Sequence, residues 1–223
     1  MLQMTQPATV PVKVKIDFVS DVSCPWCAIG LNSLEQALMR LDGKVKADLH
    51  FQPFELNPDM PPGGQETEAY IREKYGVTNP QQLASRREVI RQRGAEVGVE
   101  IGPRKRIYNT FDAHRLLHWA GIEGKQAALK KALLKAYITD DENVGDHAIL
   151  VRLAGEAGLS TERAREILAS DEYGEAVRGL KQFYVSHGIS GVPAIIINDR
   201  HLISGGQPVE VFEQALKQIT GIA

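Results

Sequence analysis

Val12-Lys13-Val14-Lys15-Ile16-Asp17-Phe18, followed closely by Asp21-Val22-Ser23-Cys24-Pro25-Trp26-Cys27-Ala28-Ile29-Gly30, is the stretch that decides the fold and the chemistry. The first run alternates apolar and charged side chains, the pattern of a half-buried strand. Leu31, Leu34, Leu38 and Leu41 then recur at helical spacing. Between the two elements sit the only two cysteines of the 223-residue chain. A cysteine at a strand-to-helix junction faces unpaired backbone N–H groups and the positive end of the helix dipole. Both favour thiolate over thiol, so Cys24 is the expected nucleophile, with a depressed pKa. Cys27 lies one turn further on, within reach of a disulfide with Cys24. Pro25 suits the first helical turn, where its missing N–H costs nothing.

Other uses of a Cys-x-x-Cys pair fit less well. Structural zinc takes four ligands, and no second cysteine pair or nearby histidine pair completes a set, so no metal is expected. A permanent disulfide across two intervening residues closes too small a loop to stabilise much. A redox dithiol is the favoured reading, with inert cysteines as the other alternative. Charged residues make up 24% of the chain and the net charge is −2, which gives no nucleic-acid or polybasic membrane signature. Basic runs such as Arg104-Lys105-Arg106, near Glu100, read as a solvated face. Met1–Ala8 lacks a basic region followed by an apolar one, and no stretch approaches the length of a membrane span. These features, with both cysteines in one pair, set the expectation of a cytoplasmic protein with a transient catalytic disulfide.

The organisation along the chain is split. Ala47 to Phe54 alternates again and completes a βαβ unit, with the dithiol at the carboxyl end of the first strand, where α/β sheets carry their sites. Asn57-Pro58-Asp59-Met60-Pro61-Pro62-Gly63-Gly64 breaks regular structure. From about Glu66 to His187 the pattern is helical, with starts at Asn79-Pro80, Asn109-Thr110, Asp146 and Ser160, and breaks at Gly98 and Gly188. The β pattern returns in Ala194–Ile197 and His201–Ser204, flanking an Asn198-Asp199-Arg200 turn. Pro208 then begins a final amphipathic helix. The expected fold class is therefore α/β, a βαβ + ββα sheet domain of residues 10–62 and 189–223, interrupted by a helical insertion of residues 63–188.

Five stretches together give a family resemblance. They are Asp21–Gly30, Pro53-Phe54-Glu55-Leu56-Asn57-Pro58, Asn109–Leu117, Gly188-Ile189-Ser190-Gly191-Val192-Pro193 and Ile203-Ser204-Gly205-Gly206-Gln207-Pro208. In order and spacing the chain resembles the thioredoxin fold, within it the DsbA family, and within that the FrnE-like oxidoreductases. The resemblance implies that Cys24 and Cys27 are the redox pair and that Pro193 is a cis-proline facing them. A plain strand-start proline is the alternative for Pro193. Such a turn leaves the backbone of Val192 free to bond an extended substrate. Ala194 departs from the aromatic residue many members carry, which enlarges the space beside the site. Pro25 and Trp26 are expected to touch partners. His114 is a candidate substrate contact, although a histidine on an amphipathic helix is more often packed in the interior. His118 with His114 makes a poor metal site, and Trp119 reads as core.

The implied activity is thiol–disulfide exchange on protein or small-molecule thiols and disulfides. No cofactor is needed beyond the redox-active disulfide, glutathione is a candidate redox partner, and the oligomeric state is open. Two alternatives stand beside it. Kappa-class glutathione transferases and hydroxychromene-carboxylate isomerases share the fold but carry a serine where this chain has Cys24. A non-enzymatic binding or chaperone module would work without either sulfur.

Overall fold

The computed structural model of the chain describes residues 10–61 and 63–222. The expectations for Met1–Ala8, and for Pro62 in the proline-rich break, lie outside the described residues.

β1 (Val12–Ser20), α1 (Pro25–Arg40) and β2 (Val45–Pro53) form a parallel βαβ unit, with Val12 opposite Val45 and Ser20 opposite Pro53. Val14, Ile16 and Phe18 are buried on one face of β1, while Lys13 and Lys15 are exposed. From Ile16 onward both faces are covered, so even Asp17 is buried. Its carboxylate is satisfied by the Gln52 amide at 2.6 Å and the Lys15 ammonium at 3.0 Å. α1 turns Cys27, Leu31, Leu34 and Ala37 inward, the stripe expected of an amphipathic helix on a sheet.

The chain then leaves the sheet. β3 (Gln65–Glu66) and β4 (Arg106–Ile107) pair as a two-residue antiparallel ribbon, too short for any alternation of side chains to announce it in the sequence. The rest of the inserted segment is helical: α2 (Thr67–Tyr75), α3 (Pro80–Glu96), α4 (Phe111–Ile122), α5 (Gln126–Ile138), α6 (His147–Glu156), α7 (Thr161–Leu168) and α8 (Gly174–Ser186). Glu66, Asn79, Asp146 and Ser160 cap α2, α3, α6 and α7, each accepting from backbone N–H groups of the first turn. The buried Arg115 donates to the Glu172 carbonyl at 2.9 Å and to Asp112 at 2.7 Å, tying α4 to the chain after α7.

Two polar contacts fasten this segment to the sheet. The Gln126 side-chain amide accepts from the Phe51 N–H at 2.9 Å and donates to the Phe51 carbonyl at 3.0 Å, acting as a short extra strand on the free edge of β2. Glu55, buried just past β2, pairs with Lys181 of α8 at 3.0 Å.

β5 (Ala194–Ile197), β6 (His201–Ser204) and α9 (Val209–Thr220) complete the architecture. The sheet order is β2-β1-β5-β6, with β5 antiparallel to both neighbours. The connection between β5 and β6 is the three residues Asn198-Asp199-Arg200, in which Asn198 and Asp199 both take positive φ, 52° and 55°, and the Arg200 N–H donates to the Ile197 carbonyl at 3.2 Å. Ile195 and Ile197 enter the main core, while Ala194 packs with Val19, Phe54 and Tyr184 on the other face. α1 and α9 pack together, with Phe212 and Leu216 fully buried. Among the described residues no helix is long and apolar enough to cross a membrane.

The start of α1 lies hard against the β5–β6 end of the sheet. A Cβ at Gly206 would come within 2.8 Å of the Trp26 carbonyl oxygen, and one at Gly30 within 3.2 Å of both Gly206 Cα and Pro193 Cγ. Gly206→Ala is therefore expected to destabilise the fold by about 1–3 kcal/mol through overpacking, which thermal melting reads as a fall of roughly 2–4 °C per kcal/mol. Gly179→Ala, on the exposed side of α8 with no atom within 4 Å, should not lower the midpoint. Equal melting of Gly206→Ala and the parent would refute the contact.

Candidate active site

Cys24 is the N-cap residue of α1, in extended backbone (φ −92°, ψ 114°) with Pro25 opening the helix. Its carbonyl accepts the Cys27 N–H at 3.0 Å, so the first turn carries the second sulfur back beside the first. The two thiols are free rather than bonded. Cys27 is fully buried, and Cys24 is the more exposed of the two at 4%. The Val192 backbone lies across it, with the Cys24 Sγ–H donating to the Val192 carbonyl at 3.7 Å. The Val192–Pro193 peptide is cis, and Pro193 is buried against α1.

The two sulfurs are pushed in opposite directions. Above all, a hydrogen bond from the Cys27 thiol lowers the Cys24 pKa; burial opposes this, and the backbone N–H groups of Cys27 and Trp26 add to it. The neighbouring thiol thus outweighs the start of the helix as the main cause. Cys27 is pushed well up, first by burial, then by its hydrogen bond to Cys24 and the negative charge there.

Behind the pair lies a buried polar layer. Burial alone would raise the Asp21 carboxyl, but His114 and the N–H groups of Leu56 and Ser23 together hold it below its usual value. Those N–H groups sit at 2.7 and 3.2 Å. His114 Nε2 lies 3.7 Å from the Asp21 carboxylate, beyond hydrogen-bond distance. Lys130 of α5 is fully buried, its ammonium 5.9 Å from the centre of the Phe51 ring and without a hydrogen-bond partner among the described residues. Burial pushes the Lys130 ammonium down in pKa, and the nearby Cys27, Asp21 and Cys24 charges pull it back up.

In front of the pair opens a cleft of about 570 Å³. Cys24, Pro25, Trp26 and Val192 form its sheet-side wall, and Tyr70, Tyr75, Leu83 and Ile90 form the wall contributed by α2 and α3. Tyr70 is fixed by donating its hydroxyl to Asn57. The structure thus brings Cys24, Cys27, Pro25, Trp26, Val192 and Pro193 together. His114 does not line this cleft; it stands behind Cys24 and borders a separate depression with His118 and His50. Among the described residues no group of three or more His, Cys, Asp or Glu side chains is placed to hold a metal ion.

Sequence reasoning did not single out Asp21, Lys130 or Arg104. Asp21 ends an apolar strand three residues before the nucleophile, which could have marked it. Lys130 sits in a helical run beside the exposed Lys131, and periodicity alone did not separate them. Arg104 corrects the reading of Arg104-Lys105-Arg106 as a solvated face. Lys105 and Arg106 are exposed, but Arg104 takes a left-handed backbone (φ 45°), which turns its side chain to the cleft wall with Nε buried.

Comparison with known proteins places this geometry in a lineage. The model of the DSBA-like thioredoxin domain matches residues 15–217. The Bacillus subtilis (strain 168) protein YwbO is 30% identical over 211 residues, which cover 93% of this chain and 96% of that protein. The structure of a probable DsbA oxidoreductase, SCO1869 from Streptomyces coelicolor, superimposes with a TM-score of 0.87 at 32% identity, covering 93% of this chain and 90% of that one. The cytosolic disulfide reductase DsbM from Pseudomonas aeruginosa, solved with GSH, shares the fold at a TM-score of 0.64 and 16% identity over 93% of this chain and all of its own.

Alkylation of the reduced protein should label Cys24 before Cys27, with a pH midpoint for Cys24 below the ordinary cysteine value of about 8.5. Cys27→Ala removes the S–H donor and should move that midpoint up. Preferential labelling of Cys27, or a midpoint indifferent to the substitution, would overturn the assignment.

Proposed function

This chain belongs to the DSBA-like thioredoxin domain family, and we propose that it is a cytoplasmic thiol–disulfide oxidoreductase or isomerase that works through the Cys24–Cys27 dithiol. The observation that carries the reading is the placement of both thiols within the first turn of α1, with the Val192 backbone lying across Cys24; the directions of the two thiol pKa values, Cys24 down and Cys27 up, agree with it. The more acidic sulfur faces the cleft and the less acidic one is sealed behind it.

The reaction follows from that asymmetry. Cys24 thiolate attacks one sulfur of a substrate disulfide, the substrate S–S bond breaks, and one substrate thiolate leaves. With Cys24 now in a mixed disulfide, its negative charge is gone, and with it one of the causes that hold the Cys27 proton. Cys27 loses that proton, attacks Cys24 Sγ and releases the second substrate thiolate. Two electrons pass to the substrate, and the pair ends as a disulfide. The reverse sequence oxidises a dithiol. The Val192 carbonyl, 3.7 Å from Cys24 Sγ, is suited to align an extended chain at the attacking sulfur.

Glutathione is a candidate partner on the shared fold with DsbM, a protein solved with GSH. The presence of Cys27 beside Cys24 favours redox exchange over a transferase or isomerase that uses one hydroxyl to activate glutathione. A reducing compartment suits a chain whose two cysteines form one exchanging pair. In the same reading residues 10–62 and 189–223 form the redox domain, and residues 63–188 form the cover over its site.

Cys27→Ser should accumulate a mixed disulfide on Cys24, seen by mass spectrometry of the intact protein after incubation with oxidised glutathione or a disulfide-bonded peptide. Cys24→Ser should trap nothing, and disulfide exchange should fall to the uncatalysed background. Full retention of a glutathione-dependent activity by Cys24→Ser would decide for the transferase class instead, and partner binding that survives loss of both sulfurs would decide for a binding module.

A further inference from the structure

The cleft in front of Cys24 carries charge of one sign. Arg86, Arg87 and Arg104 line it, and no Asp or Glu does among the described residues. Arg87 is paired with Glu68 at 3.0 Å. Arg86 and Arg104 make no ion pair among the described residues, and Arg104 Nε is buried without a hydrogen-bond partner. A buried guanidinium nitrogen without an acceptor costs stability, and this one is held in place by backbone. Arg104 adopts left-handed φ (45°), a conformation disfavoured for a side chain of its size, and its carbonyl accepts the Thr67 hydroxyl at 2.6 Å. The remaining walls are mostly apolar, among them Tyr75, Leu83, Val89 and Ile90.

We propose that this cleft binds a small apolar thiol or disulfide bearing a carboxylate, with Arg104 as the carboxylate's partner and Arg86 adding charge at the mouth. The inference rests on the thiol–disulfide reading of Cys24 and narrows its substrate. An arginine fork matches a carboxylate in two-point geometry. The apolar walls take the body of the molecule, and its sulfur lies toward Cys24 in the same cleft. A zwitterion such as glutathione fits less well, because no carboxylate lines the cleft to pair with its ammonium group. For a symmetric aryl disulfide the sequence balances as follows. Cys24 thiolate displaces one arylthiolate, Cys27 gives up its proton to solvent and attacks Cys24 Sγ, and the second arylthiolate leaves. The disulfide gains two electrons and the dithiol becomes the Cys24–Cys27 disulfide.

The test compares stopped-flow rates of the reduced protein with dithiobis(nitrobenzoate), an aryl disulfide carrying carboxylates, and dithiodipyridine, its uncharged counterpart. The readout is the ratio of the two rate constants. Arg104→Gln should lower that ratio about tenfold, the scale of one charge-assisted hydrogen bond, and Arg104→Lys should restore part of it. Arg86→Gln, at an exposed position that folding does not depend on, should lower the ratio by a smaller factor, and added salt should lower it further in the parent protein. A ratio unchanged in Arg86→Gln, and in Arg104→Gln where that variant folds, overturns the proposal, as does an equal slowing with both reagents. Failure of the parent protein to form the Cys24–Cys27 disulfide with dithiodipyridine overturns the redox reading instead.

Discussion

The burial of two thiols one helical turn apart, each altering the other's hold on its proton, is the constraint on which the rest of the structure turns. It needs two sulfurs side by side with unequal claims on one proton. The strand end at Ser20, the N-cap at Cys24 and the helix opening at Pro25 fix the first sulfur, and one turn of α1 returns the second. The close approach of Gly30 and Gly206 then lets the β5–β6 end press against that turn, so that Val192 and Pro193 cover the pair. Any looseness at this contact would admit water and weaken the difference between the thiols.

The charges around the pair divide by side. Behind it, Asp21 opposes a negative Cys24, while Lys130 favours a negative Cys27. Neither group touches the cleft. They act through the buried interior, where charges are felt more strongly than in water, and both temper the asymmetry between the two thiols. A pair left wholly unequal would hold its Cys27 proton too tightly to resolve a mixed disulfide. In front, Arg86, Arg87 and Arg104 of the inserted segment line the cleft. The βαβ unit thus supplies the reacting sulfurs at the start of α1, and the helical segment supplies the far wall of the cleft.

Much of this was legible in the sequence, for reasons that can be located. The alternation in Val12–Phe18, the leucine spacing after Cys27 and the capping residues Asn79, Asp146 and Ser160 each act within a few residues, so they survive reading in one dimension. The hairpin at Asn198-Asp199 was legible for the same reason. What stayed hidden depends on contacts between distant segments. The β3–β4 ribbon joins residues 40 and 42 apart through two residues on each side. Lys130 is inside and Lys131 outside because of where β2 lies. Arg104 leaves an exposed basic run through a single left-handed residue, and residue type alone gives no sign of that in an arginine. His114 faces Asp21 rather than the cleft because α4 packs behind the sheet's active end.

The central claim is that the folded reduced protein holds Cys24 as a thiolate more readily than the unfolded chain does, and holds Cys27 as a thiol more readily. Its most direct test is the pH dependence of the difference in unfolding free energy between the reduced and oxidised protein, because the disulfide form has no thiol to titrate. Below the folded pKa of Cys24 the difference should be flat. Between that pKa and the unfolded value of about 8.5 the unfolded chain binds more protons, so the reduced form should gain stability as pH rises, by at most about 1.4 kcal/mol per pH unit. Above about 8.5 the retained Cys27 proton reverses the sign and the gain should decline. A difference that is flat, or that falls steadily, through the neutral range would contradict the account.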